Sequence, residues 1–483
     1  MAEIISKISG SLYTYVLVAL LVIGGIYFTI RTKGAQFTLF GDQIKSVTEK
    51  PKGNKKGVSS FQALMVSTAS RVGTGNIMGV AAAICLGGFG SVFWMWIIAL
   101  IGSASAFVES TLAQIYKRKG LNGCYGGPAY YIETALKCRP LAIVFSILLI
   151  LTYGVGFNML ASFNLQATFA NFSFYVPNQT SWIIGAVVAA LVALCLFGGG
   201  KWIIKTTSFL VPIMGVLYIL VAIVVVCMNV TALPSIFVQI FTEAFDFQSI
   251  FGGFTGSCIM LGVKRGLFSN EAGVGSAPNA SASAEVAHPA KQGLVQVLSV
   301  FIDTILVCSA TAFMCMSSGL DASAYTSGDQ YILAAMQQTL GGFGPIFLSV
   351  AVVLFAFTTL IGNLYYVDKA LIHICKKEPN KWIKYIYYII ASLLILLGSG
   401  LKAGVLWDIA DIFMGLMTVI NVPVIIILGK YAFRALKDYR KQRKQGVEPT
   451  FLVKNIELPH QVDYWQEETN SSEIAKLNQS EKA

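Results

Sequence analysis

The sequence predicts an all-α polytopic membrane protein of eleven transmembrane helices, and three observations carry that prediction. The 483 residues are 55% hydrophobic and only 12% charged, with a mean hydropathy of +0.68, whereas soluble domains are about a quarter charged. Eleven apolar runs are separated by polar connections, and at about 20 residues each they suit a hydrocarbon core roughly 30 Å thick. Basic residues gather in alternate connections, as the positive-inside rule requires. The formal charge of +11 is spread between apolar spans, so topology explains it and nucleic-acid binding does not. Nine cysteines are scattered without a CxxC, and His288, His373 and His460 stand far apart. No metal-cluster spacing appears.

Taken in order, the runs are 12–30, 57–86, 90–116, 140–163, 182–197, 203–228, a seventh starting near 251, then 294–316, 345–374, 383–397 and 405–428. The first has no positive n-region or small-residue cleavage site, so a retained helix is expected rather than a signal peptide. Bases follow the odd-numbered spans: the loop 31–56, then Lys117, Arg118 and Lys119, then Lys201 and Lys205, Lys291, the group Lys369, Lys376, Lys377, Lys381 and Lys384, and everything from Lys430 onward. The alternate loops carry almost none beyond Lys402. This alternation predicts an amino terminus outside and a carboxyl terminus in the cytoplasm, and residues 466–483 read as disordered. The chain divides into 1–56 (first helix and basic loop), two five-helix units at 57–229 and 230–430, and a polar tail at 431–483.

Two spans carry interruptions. Ser67-Thr68-Ala69-Ser70-Arg71-Val72-Gly73-Thr74-Gly75-Asn76 breaks the second, with the irregular part expected at 69–76, and a second polar stretch at 264–279 breaks the seventh around Gly273 and Gly275. Gly costs about 1 kcal/mol against Ala in a helix interior, and Ser, Thr and Asn compete for backbone bonds. A G-x-G alone also lets two helices pack closely. The two pairs, however, lie 200 residues apart, and each broken span is followed by one containing a single carboxylate beside a hydroxyl, Glu109-Ser110 and Asp303-Thr304. Spans two to six and seven to eleven therefore form two units. Since five is odd, the second enters the membrane from the opposite side, and paired broken helices in such inverted repeats point to a transporter site. A half-helix N-terminus suits a carboxylate, and unwound carbonyls suit Na⁺.

Ser70-Arg71-Val72-Gly73-Thr74-Gly75-Asn76, Gly-Gly-Pro-Ala-Tyr-Tyr-Ile at 126–132, and above all 262–280 (GVKRGLFSNEAGVGSAPNA) with His-Pro-Ala-Lys-Gln-Gly at 288–293 resemble the alanine or glycine:cation symporter family. The resemblance runs through span eleven. It implies the LeuT-type five-plus-five fold with one extra N-terminal helix, no enzymatic activity, no cofactor beyond a coupling sodium ion, and uptake of small neutral amino acids across the bacterial inner membrane. Thr74, Gly75, Asn76, Phe268, Ser269 and Asn270 would hold the substrate, with Asn158, Asn164 and Gln166 near the polar end of span four. The backbone carbonyls of Ala69, Val72 and Phe355, with the hydroxyls of Thr358 and Thr359, would surround Na⁺. The chain departs from the family pattern at Arg71, where many members carry a small residue, and at Asn363, where they carry a tryptophan. A carboxamide for an indole makes a roomier, more polar pocket, so glutamine or asparagine becomes an expected substrate beside alanine and glycine.

Arg71 is an intramembrane cation and a candidate gate, with Glu271 or a vestibule carboxylate as partner; Lys264, Arg265 and Glu271 form a second candidate gate. Proton coupling through Glu109, Asp303 or Glu271 is the alternative to sodium. A channel would need repeated pore rings, an enzyme a nucleophile with its base, and ATP drive a P-loop. None occurs in the sequence. It carries no signal of oligomeric state.

Overall fold

The computed structural model describes residues 2–49, 57–120, 123–170, 172–246, 257–401, 403–459 and 461–465. The beginning of the seventh span, Lys402, His460 and the tail from 466 lie outside the described residues.

Among the described residues nine helices are long and apolar enough to cross a membrane, and the bent pair Ser60–Arg71 plus Gly75–Gly87 makes a tenth. Within the described residues the seventh run contributes the helix Cys258–Asn270, too short to count as a span, so by length and composition the described residues reach ten spans. Each five-helix unit opens with an interrupted helix and continues with an unbroken one. In the first unit Gly90–Ile115, Arg139–Ala167, Thr180–Phe197 and Gly199–Met228 follow the broken pair; in the second, Pro289–Met316, Phe343–Cys375, Lys381–Ser399 and Ala403–Lys444 follow it. The apolar faces of the outer helices, such as Ile183, Leu194, Phe209 and Ile390, are exposed, as lipid-facing surfaces are.

Span two begins at a capping box, Ser59 with Gln62, in which Gln62 N–H donates to Ser59 Oγ (3.1 Å) and Ser59 N–H to Gln62 Oε1 (3.0 Å). Its helix stops at Arg71, where Val72 turns to φ −77° and ψ 87°, and resumes from Gly75 at an angle of 53°. In span seven the helix runs on through Lys264 to Asn270, further than residue type suggests. It departs at Glu271 (φ +53°), followed by Gly273 (φ +88°) and Gly275 (φ +90°). The cations at 264 and 265 do not break it because both reach one acceptor, Asp411, on the last span.

The last helix extends well past the apolar run, to Lys444. The chain then folds back along the molecule's basic face. Phe451 N–H donates to Ala287 O (2.9 Å), Trp465 Nε1–H to Gln114 O (2.8 Å) and Lys119 N–H to Asp463 Oδ2 (3.1 Å). Lys117, buried beneath this strap, donates to Ala284 O at 2.9 Å and lies 3.9 Å from the centroid of Tyr464. His288 is oriented there by Asp438 (3.3 Å).

Candidate substrate and ion site

The two breaks face each other in the interior, and two buried carboxylates cross-link them. Asp303, on the eighth span, binds the first break: Asn76 Nδ2–H donates to its Oδ1 (2.7 Å) and Ser269 Oγ–H to its Oδ2 (2.7 Å). Asn76 also accepts from Gly73 N–H (2.8 Å), so it holds the non-helical turn shut on itself. Glu109, on the third span, binds the second break. It accepts from Gly273 N–H (3.4 Å) and from Asn421 Nδ2–H (2.8 Å), and Asn421 also donates to Gly273 O (2.9 Å). Each break is thus braced by the unbroken helix of the other unit, as an inverted repeat requires. All three side chains, Asp303, Glu109 and Asn421, are fully buried, where leaving one partner of such a hydrogen bond unpaired costs about 1–3 kcal/mol.

Between the breaks lies a small cavity bordered by Ser70, Arg71, Gly73, Thr74, Gly75, Phe157, Leu160, Ala161, Phe268 and Thr359. Its free volume is about 10 Å³, room for a water and far less than an amino acid. Phe268 forms one wall, stacked on Phe157 (4.5 Å between centroids) and against Trp407 (4.9 Å). Two glycines are dictated by close approach. A Cβ at Gly75 would sit 2.8 Å from the Phe268 ring, and one at Gly73 would overlap Thr359 Oγ1.

The expected substrate residues are brought together in part. Thr74, Gly75 and Phe268 line the cavity, and Asn164 reaches it by donating to Thr74 Oγ1 (2.9 Å). Gln166 instead bonds Tyr175 OH (2.6 Å) at the helix end. Asn76 and Ser269 belong to the Asp303 brace, while Asn270 caps its own turn through Ala272 N–H (3.0 Å). Asn363 lies one layer behind, accepting from Ser70 Oγ–H (2.6 Å) and donating to Asn158 Oδ1 (2.9 Å).

Of the expected sodium ligands, Thr359 Oγ–H donates to Ala69 O (3.0 Å) against the first break. The Thr358 hydroxyl turns to its own helix, bonding Leu354 O (3.0 Å) and Phe355 O (3.1 Å), beside Met214 Sδ (3.3 Å). Val72 is buried at the turn itself.

Arg71 is 2% exposed and donates from Nη1 to Gln296 Oε1 (2.9 Å), with Nε and Nη2 unpaired. Among the described residues no carboxylate lies within 4.0 Å of it, so its partner is an amide on span eight and not Glu271. Glu271 accepts from Ser276 Oγ–H (2.5 Å) and stands 3.4 Å from Ser70 Oγ. Nor do Lys264 and Arg265 pair with Glu271, which sits at the far end of their helix. They converge on Asp411 at 2.8 and 3.5 Å, and the Arg265 guanidinium covers Trp407 at 4.3 Å. Sequence reasoning passed over Asp411, Asn421, Phe157 and Trp407. For Asp411 a signal existed, a carboxylate at 408 and another at 411 inside an apolar run.

Residues 1–453 match the sodium:alanine symporter family. The chain belongs to that family. It is 44% identical to the amino-acid carrier protein AlsT of Bacillus subtilis (strain 168), over 94% of this chain and 95% of that one. It is 41% identical to the probable sodium/glutamine symporter GlnT of the same organism, over 96% and 97%. To the sodium/proton-dependent alanine carrier protein of Bacillus sp. (strain PS3) it is 37% identical, over 83% and 92%. The solved structure of MhsT in complex with L-phenylalanine aligns over 80% of this chain and 93% of that one, with a TM-score of 0.55 at 15% identity. That likeness establishes the fold, a LeuT-type inverted repeat. This symporter-family member is therefore a multi-pass membrane transporter.

Proposed function

We propose that the protein carries a small neutral amino acid into the bacterial cell together with Na⁺, by alternating access across its inner membrane. The observation that carries this reading is the meeting of the Ala69 carbonyl, the Thr359 hydroxyl and the Gly73 backbone at the first break, beside a cavity walled by Thr74, Gly75 and Phe268. Unwound carbonyls with a hydroxyl supply hard oxygens for a small cation, and the helix restarting at Gly75 offers N–H groups and a positive dipole end to a carboxylate. Thr358 and the carbonyls of Val72 and Phe355 complete the ion site once the Thr358 hydroxyl rotates from its own helix. Phe268, Phe157 and Trp407, topped by the Asp411 ion pairs, form the gate on the face opposite the basic one, which we assign to the outside. Arg71 and Glu271 serve the inner gate. Small members of the class, alanine and glycine, fit with the least rearrangement. Glutamine is admitted through the polar layer of Ser70, Asn363 and Asn158. The relatives' names support both alanine and glutamine as candidates.

The test is uptake into proteoliposomes under an imposed sodium gradient, with alanine, glycine, glutamine and asparagine compared. Uptake of at least one that collapses without sodium is the expected result; uptake indifferent to sodium would overturn it. A second reading, proton coupling, rests on one observation. Glu271 and Glu109 are fully buried and, among the described residues, neither is held in an ion pair within 4.0 Å, and ionisable side chains inside a transporter's spans mark proton relays. Uptake driven by a pH gradient at constant sodium, lost in Glu271→Gln or Glu109→Gln, would identify it.

A further inference from the structure

A second cavity, far larger than the one between the breaks, lies elsewhere among the described residues. It is a groove of about 1200 Å³ on the basic face, where the first span and the last leave their apolar sections. Its walls hold Arg31 from the end of the first helix, Lys33 from the turn after it, and Arg434, Lys437, Arg440, Lys441, Arg443 and Lys444 from the last helix. On the last helix, Phe433, Arg434, Lys437, Arg440, Lys441 and Lys444 occur at i, i+1, i+4, i+7, i+8 and i+11, which is one face of an α-helix.

The acids nearby do not neutralise that face. Arg443 is taken by Asp42 (Nη2–Oδ1 2.5 Å) and Arg434 by Glu457 (3.3 Å). Asp438 is engaged by His288, Gln442 and Asn455. Among the described residues, Arg31, Lys33, Lys437, Arg440, Lys441 and Lys444 have no carboxylate within 4.0 Å; Arg440 donates to Thr38 Oγ1 (3.1 Å), and Arg31 rests over Phe433 at 5.1 Å. The positive-inside rule asks for bases on one side of the membrane, but it does not ask for them along one wall of a groove. Like charges at i, i+4 destabilise a helix, so the alignment implies a counter-charge from outside the chain.

The lining of this groove includes the apolar Leu39, Phe433 and Leu436, and exposed apolar side chains flank its lining residues in sequence. Ile30, Phe37, Phe40 and Ile44 are 68%, 54%, 47% and 49% exposed, on the end of the first helix and on the short amphipathic helices Ala35–Thr38 and Phe40–Thr48. A ligand matching both parts has an anionic head and hydrocarbon tails. We propose that this groove is a binding site for an anionic phospholipid, its phosphodiester seated among Arg31, Lys33, Lys437, Arg440, Lys441 and Lys444 and its acyl chains laid on Phe37, Phe40 and Ile44. Clusters of four to eight bases next to a span end bind anionic headgroups in this way.

The test uses the full chain purified in a neutral detergent. Lipid carried through purification is identified by mass spectrometry, and melting temperature is followed on adding phosphatidylglycerol, phosphatidylcholine or inorganic phosphate. The groove variant is Lys437→Gln/Lys441→Gln/Lys444→Gln, and the control, with the same charge loss elsewhere on that face, is Lys376→Gln/Lys377→Gln/Lys381→Gln. Expected are carry-over of anionic lipid and a melting shift with phosphatidylglycerol but not phosphatidylcholine. At about fivefold per base removed, the groove variant should need on the order of a hundredfold more lipid for half the shift, with the control unchanged. Equal loss in the control, or an equal response to phosphatidylcholine, would overturn the proposal. So would a shift produced as well by inorganic phosphate, since that makes the groove an anion site indifferent to the lipid tails.

Discussion

Thr359 separates ion ligation from mere packing, because its hydroxyl does two things at once. It bonds Ala69 O at 3.0 Å, and it fills the space a side chain at Gly73 would need, with its Cβ and Cγ2 each 3.3 Å from that would-be Cβ. Thr359→Ala removes the hydroxyl together with the γ-methyl, and Thr359→Val, which keeps the bulk and loses only the oxygen, is its control. If the oxygen faces Na⁺ during transport, an interaction with a charged group worth about 1.5–3 kcal/mol is lost. Half-saturating sodium for uptake should then rise roughly ten- to a hundred-and-fifty-fold. Gly73→Ala should instead overpack the break, costing about 1–3 kcal/mol, and should lower the melting temperature in detergent. The double variant Gly73→Ala/Thr359→Ala clears the overlap and should recover much of the melting temperature while keeping the weak sodium dependence. Uptake assays against a sodium titration, paired with thermal melts, read both quantities. If Thr359→Ala leaves the sodium dependence where it was, the hydroxyl is only packing and the ion site is elsewhere.

Other outcomes follow from the same geometry. Gly75→Ala pushes a methyl to within 2.8 Å of Phe268, so the ring must leave its stack on Phe157; substrate uptake should fall at least tenfold, with partial recovery in Gly75→Ala/Phe268→Leu. Asp411→Ala leaves Lys264 and Arg265 without their shared acceptor, and breaking a buried pair from one side costs about 3–5 kcal/mol, so thermal melts should show a larger loss than for Lys264→Met. Burial pushes Lys117 down to about 8, against the opposing pull of Cys124 and Glu285. An unfolded lysine titrates at about 10.4, so between about pH 8 and 10 the unfolded chain binds more protons and stability rises with pH. The wild-type melting temperature should climb across that window relative to Lys117→Met, whose profile should stay flat there.

Most of the fold could be read from the chain, since lipid imposes length and apolarity on every span and bases mark their ends. The interruptions were legible as well, because Gly73-x-Gly75 and Gly273-x-Gly275 are poor helix in any setting. Where the second helix stops was not. Lys264 and Arg265 look like the start of a break, yet Asp411 satisfies them from more than 140 positions away, and nothing local announces that. The carboxylates at 109 and 303 were recognisable as a matched pair, but which break each one serves is a matter of three-dimensional exchange between the units. Thr358 and Thr359 read as equivalent hydroxyls; adjacent positions on a helix point about 100° apart, so one meets the first break and the other its own backbone. Residues 446–465 are polar enough to pass for an unstructured tail, and only the aromatic pair Tyr464-Trp465 hinted that they dock.

The reciprocal bracing by Asp303 and Glu109 has a mechanical corollary. Because either half grips its counterpart's weakest point, neither kink can shift by itself: a tug on Asn76 is felt through Asp303 in the opposite bundle, and a tug on Gly273 travels back through Glu109. In the alternating-access cycle proposed above, the inward and outward openings would therefore be geared together like two handles on a single shaft, which lets a carrier built from duplicated parts keep one doorway bolted while the other swings.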